Sequence, residues 1–83
     1  MTITFVTKDK NRPERWEKVE ISDNPFKNIA KEGETIPIEE IVNFIAYPYF
    51  IRHSALRKIQ KFCLYTTIDH YTDIRYYYDH GQN

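Results

Sequence analysis

Two glycines and one cysteine are all that the 83 residues hold of either type, and each scarcity removes a class of function. With only Gly33 and Gly81, no glycine-rich loop can bring backbone amides onto a phosphate, so the Walker and dinucleotide-binding fingerprints are missing and nucleotide hydrolysis is not expected. Cys63 has no second cysteine to pair with, which excludes an internal disulfide and fits a reducing compartment. No segment approaches the roughly 18–20 apolar residues of a membrane span, and the start, MTITFVTKDK, lacks a basic stretch followed by an apolar run. The expectation is a soluble, cytoplasmic protein with no membrane partner. Net charge is lacking as well. Twelve basic and 12 acidic residues cancel, so the whole molecule offers no bulk attraction to nucleic acid or anionic lipid.

Length sets a further limit. Eighty-three residues suit one domain with one core, expected over 1–83 with residues 80–83 as a frayed tail. A core of this size leaves only about 3–5 kcal/mol of net stability, so a deep, desolvated active site would be costly to hold open. Hydrophobic residues at 41% and aromatics at 16% are still too abundant for a disordered chain.

What is present reads as an α+β domain in the order ββαααββ. TITFVTK and RWEKVEIS both alternate, and pairing Phe5 with Val19 gathers Ile3, Phe5, Val19 and Ile21 on one face of an N-terminal hairpin whose loop is residues 10–14. The same register sends Val6 and Trp16 to the other face. DNPFKNIAKEG predicts a short helix capped by Asn24, entered at Pro25 and stopped by Gly33, with Phe26, Ile29 and Ala30 on one stripe. IPIEEIVNFIAYP places Ile38, Ile41, Val42 and Ile45 at helical spacing, with Glu39 and Glu40 in the first turn and Pro48 as terminator. Ser54 is expected to cap a third helix that runs to about Cys63, with Ala55, Leu56, Ile59, Phe62 and Cys63 on one side and Arg57, Lys58, Gln60 and Lys61 on the other.

From Phe62 onward the period reads as 2. Leu64, Thr66 and Ile68 alternate with Tyr65, Thr67 and Asp69, and Ile74, Tyr76 and Tyr78 alternate with Arg75, Tyr77 and Asp79. The expectation is a second hairpin with Ile68 facing Tyr76 and Thr66 facing Tyr78. The competing reading continues the third helix to residue 79, against the strand preference of the threonines and tyrosines. Antiparallel hairpins then form a sheet with helices on one face.

No constellation in the sequence specifies a reaction. The pairs Asp69-His70 and Asp79-His80 carry metal-ligand side chains, but neighbours on a strand point to opposite faces and zinc needs three or four converging ligands. His53, His70 and His80 would suit the acid–base step of a nuclease with Arg75, Lys61 or a tyrosine beside the phosphate, yet no spacing forces two of them together. Cys63 sits on an apolar helix face, where a buried, inert thiol is the common case. No catalytic residue, metal or cofactor is expected.

Charge segregation is the best nonrandom feature. Between Glu40 and Asp69 there is no acidic residue, whereas Arg52, Arg57, Lys58 and Lys61 fall there. Seven tyrosines exceed what a small core needs, and Tyr65 and Tyr77 are expected on the sheet face away from Ile74 and Tyr76. Tyrosine and arginine supply large contact area with few rotors. The expected function is therefore a small non-enzymatic protein that occupies a surface of a larger one. Such a chain suits an inhibitor or adaptor, of the sort a phage or mobile element directs at a host or defence enzyme. Its partner-binding residues would be Tyr65, Tyr77 and Arg75 on a strand face with Arg57, Lys58 and Lys61 on the helix. The alternative is an RNA-binding module in which the basic helix meets phosphates and exposed tyrosines stack on bases. The last strand, Tyr76 to His80, either pairs edge to edge into a homodimer or is a protected edge; the sequence leaves both open.

Overall fold

The computed structural model describes residues 1–7, 15–46, 52–68 and 73–79. Three antiparallel strands, β1 (Thr2–Thr7), β2 (Trp16–Glu20) and β3 (Ile74–Tyr78), form a sheet in the order β2-β1-β3. Two helices, α1 (Ile38–Ile45) and α2 (Ser54–Ile68), complete a small α+β fold. Ile3, Phe5, Val19, Ile74 and Tyr76 all point to one face of the sheet. There they are covered by Phe26, Ile36, Ile41, Ala55, Ile59 and Cys63. β1 is the central strand, and Ile3 and Phe5 are fully buried.

The N-terminal hairpin forms with the expected faces but a different register. Ile3, rather than Phe5, lies opposite Val19, and Phe5 lies opposite Glu17. A slip of two residues preserves side-chain parity, so hydrophobic alternation cannot detect it. The expected loop, residues 10–14, lies outside the described residues.

The first expected helix is a correction. Residues 25–29 form turns, not a helix. The cap chemistry is as read: the Phe26 N–H donates to Asn24 Oδ1 at 3.0 Å, and Gly33 takes a positive φ of 83°. Tertiary bonds hold this segment against β3. The Ala30 carbonyl accepts from the Tyr76 hydroxyl, and the Asn24 side-chain amide donates to the Tyr78 hydroxyl at 3.2 Å. Two turns of helix gain few internal bonds of their own.

The second hairpin is the larger correction. Residues 64–68 continue α2, and β3 pairs with β1 rather than with them. Ile68 does not face Tyr76, nor Thr66 Tyr78. The helix persists because its buried stripe does: Ala55, Ile59, Phe62, Cys63 and Thr66 keep helical spacing. The threonines expected to favour a strand are accommodated by bonding back to the helix, with Thr66 Oγ1 and Thr67 Oγ1 both donating to the Cys63 carbonyl at 3.0 and 2.8 Å. The N-cap also shifts by one residue. His53 Nδ1 accepts the Ala55 N–H at 3.1 Å, which places Ser54 in the first helical turn.

The outer edge of β3 is partly covered by the chain itself. Its outward carbonyls at Tyr76 and Ile74 accept the N–H groups of Gly33 (3.0 Å) and Ile36 (2.9 Å), while the Tyr78 N–H donates to Glu32 Oε2 at 2.8 Å. Those three groups are engaged within the chain. His80 lies outside the described residues. α1 runs as expected with Glu39 and Glu40 in its first turn, although only Ile41 of its stripe is fully buried. Gln60 of α2 donates to the Phe44 and Ile45 carbonyls at 3.3 Å, satisfying the end of α1.

Candidate functional site

Two sets of residues emerge where the sequence suggested one. Arg75 and Tyr77 lie on β3, on the sheet face opposite the helices. Arg75 is held: its guanidinium pairs with Asp73 at 2.9 Å and donates to the Gly33 carbonyl at 2.9 Å, and Thr35 Oγ1 also donates to Asp73 at 2.8 Å. This clasp fastens residues 33–35 to β3. Tyr77 is half-buried, with its ring over Gly33. Tyr65, expected beside Tyr77 on a strand, is instead on α2 and 57% exposed.

On α2, Tyr65 joins Lys58, Lys61, Phe62 and Thr66, a stripe at i, i+3, i+4, i+7 and i+8. α2 packs against β2, and this stripe faces the strand's first residues. Between them lies an open groove of about 400 Å³, walled by Arg15, Trp16 and Glu17 on one side and Lys58, Lys61 and Tyr65 on the other, with Phe62 and Thr66 also lining it. Trp16 is 63% exposed, although a tryptophan this accessible forfeits a large burial gain. Arg57 lies one step round the helix from the groove and is exposed.

No family model matches the chain, and no curated protein or solved structure matches it. The groove must speak for itself.

Its electrostatics are cationic. Arg15, Lys58 and Lys61 outnumber Glu17, and Lys58 approaches Glu17 only to 3.8 Å, an exposed pair of small worth. Lys61 and Arg57 pair with no carboxylate among the described residues. On the sheet face carrying Arg75 and Tyr77, Lys18 lies 3.7 Å from Asp79, and the terminal amine binds Glu20 at 2.6 Å. α2 also leaves Leu64 and Ile68 exposed beyond Tyr65. The sequence had assigned Leu64 and Ile68 to a covered strand face. Trp16, Arg15 and the exposed Leu64 and Ile68 were not among the expected contact residues. The available signal was the i, i+3, i+7 spacing of Lys58, Lys61 and Tyr65, which becomes visible once 64–68 is read as helix.

Among the described residues no three metal-ligating side chains cluster, and none of their helices is long and apolar enough to cross a membrane. His70 and His80 lie outside the described residues. Cys63 is fully buried on α2, and burial pushes its thiol from an ordinary 9.0 up to about 12. A thiol so protected does not supply a nucleophile at neutral pH. It should react with a disulfide reagent only at the rate of unfolding. Because the folded value lies above the unfolded one, the thiol's contribution to stability is complete below pH 9 and is lost as pH rises towards 12. Tyr76, raised from an ordinary 10.0 to about 12 mainly by burial and then by Tyr78, adds a loss that begins only above pH 10. Urea melts between pH 8 and 11 should show stability falling with pH, with a shallower slope in Cys63→Ala.

Proposed function

We propose that this chain is a small, non-enzymatic binding protein that acts as an inhibitor or adaptor by seating part of a larger protein in the groove between β2 and α2. One observation carries the reading: Phe62 and the exposed Tyr65 line a groove among cationic side chains, and the exposed Trp16 stands at its β2 margin with its side chain on the opposite face of the sheet. Aromatic anchors flanked by cations are the composition of protein-binding hot spots. Exposed Leu64 and Ile68 extend the apolar surface along α2 from Tyr65. The RNA-binding alternative would draw on the same lysines. However, the groove cations are few and one is an acid's neighbour, whereas affinity for RNA scales with the number of phosphates neutralised.

The test is affinity capture from cell extract on the immobilised protein, with and without nuclease, beside the double variant Lys58→Glu, Lys61→Glu. The expected outcome is a stoichiometric protein that survives nuclease and whose retention falls by roughly tenfold or more on charge reversal. Bound material that disappears with nuclease would transfer the groove to RNA.

A further inference from the structure

The register of the sheet determines which backbone groups remain open. Arg15, Glu17, Val19 and Ile21 direct their N–H and C=O groups to β1, as the bonds from Thr7 N–H to the Arg15 carbonyl (3.0 Å) and from Ile21 N–H to the Met1 carbonyl (2.9 Å) establish. The backbone groups of Trp16, Lys18 and Glu20 therefore point outward. No described strand or segment pairs with them, in contrast to β3, whose outward Ile74 and Tyr76 carbonyls and Tyr78 N–H are taken by residues 32–36. Among the described residues β2 is thus an open edge, and it runs beside the groove that α2 walls.

An open strand edge next to a helix-walled groove accepts an extended peptide as an added strand, with main-chain bonds supplying affinity and alternate side chains entering the groove. We propose that the occupant is an extended acidic segment of a partner protein, which adds to β2 as a fourth strand. The inference rests on the groove's being a protein-binding site and specifies what it binds. A residue opposite Glu17 shares the face of Glu17 and projects towards α2, where an apolar side chain fits beside Phe62 and Tyr65. Residues flanking that anchor come near Lys58 and Lys61, so carboxylates there are favoured. Charge also argues against a second copy of this chain. Symmetric antiparallel pairing centred on this edge sets Lys18 against Lys18, and like charges directly opposite each other destabilise a strand pair.

Lys18 makes the proposal testable, because its N–H points away from β1. Lys18→Pro deletes an outward donor and leaves the β1 ladder whole, a position at which an edge strand tolerates proline. A displayed library of random short peptides is panned on the immobilised protein, and the enriched peptides are titrated against wild type, Lys18→Pro and Lys18→Ala. The expected result is enrichment of alternating sequences rich in Asp and Glu. Their affinity should fall by roughly tenfold or more in Lys18→Pro and by less than about threefold in Lys18→Ala. On the wild-type protein, amide exchange at Trp16, Lys18 and Glu20 should slow when peptide binds, a readout that stands even if the proline variant does not fold. No enrichment, enrichment without acidic bias, or unchanged exchange at those three amides would each overturn the proposal. In the last case, peptides that still depend on Trp16 and Tyr65 would leave the groove a protein site and reject only strand addition. Sedimentation as a dimer through β2 would also reject it, in favour of a second copy.

Discussion

Phe26→Ala is expected to leave most of the protein unfolded at 25 °C. The Phe26 ring joins three parts of the molecule: it meets Phe5 of the central strand edge-on at 6.0 Å, and Phe44 of α1 at 5.2 Å, while its own backbone anchors the turns of residues 24–30. The ring is 1% exposed. Truncating a buried phenylalanine costs about 3–5 kcal/mol, lost burial plus the cavity left behind. A domain of this size holds roughly that much in total. The packing here cannot collapse cheaply around the gap, because the Ala30 carbonyl and the Asn24 side chain tie the same segment to Tyr76 and Tyr78. Urea denaturation followed by circular dichroism measures the effect, with Ile29→Ala as the comparison. Ile29 was expected on the same stripe but is exposed, and its truncation should change stability by less than about 0.5 kcal/mol. A Phe26→Ala protein that melts within about 1 kcal/mol of wild type would show that the segment contributes little to the core.

That contrast between Phe26 and Ile29 shows what alternation and periodicity reveal and what they do not. The faces of β1, β2 and β3 were legible: Ile3, Phe5, Val19 and Tyr76 point inward, and Tyr77 points away from Tyr76 and Tyr78. Parity is a local property, and these segments have it. Register and pairing partner are not local. A two-residue slip at β1–β2 costs no change of face, and nothing within Ile74–Tyr78 says that its neighbour will be β1. The end of α2 was misread for a related reason. Leu64, Thr66 and Ile68 alternate, but Thr66 also continues the stripe of Ile59, Phe62 and Cys63. Both periods are present in those five residues, and the core under α2 decides between them, leaving Leu64 and Ile68 exposed. The groove inherited that ambiguity. Lys58, Lys61 and Tyr65 were singled out separately, the first two as helix and the last as strand, so their common face was hidden. Arg75 was selected for its charge, which the fold spends on Asp73 and the Gly33 carbonyl.

Trp16→Ala is expected to weaken partner or peptide binding by about 2 kcal/mol, roughly 30-fold in Kd, while changing stability by less than about 1 kcal/mol. The two effects separate because of where the ring sits. Trp16 lies directly opposite Val6 on the sheet face away from the helices and is largely exposed, so the folded protein gains only a cross-strand contact from it. Trp16 also borders the groove at the β2 edge, and burying its ring beneath a partner that covers this edge removes a large apolar surface from water. Tyr65→Ala should act in the same direction. Tyr77→Ala provides the opposing arm. Tyr77 lies across Thr4 from Lys18, on the far strand of the sheet and outside the groove. Its truncation should cost stability through the lost cover over Gly33 but change Kd by less than about threefold. Titration calorimetry with a captured partner and urea melts of the same proteins separate the two. If Tyr77→Ala abolishes binding and Trp16→Ala and Tyr65→Ala do not, the contact surface is the open sheet face around Thr4 and Val6, and the groove between β2 and α2 is only a crease in the fold.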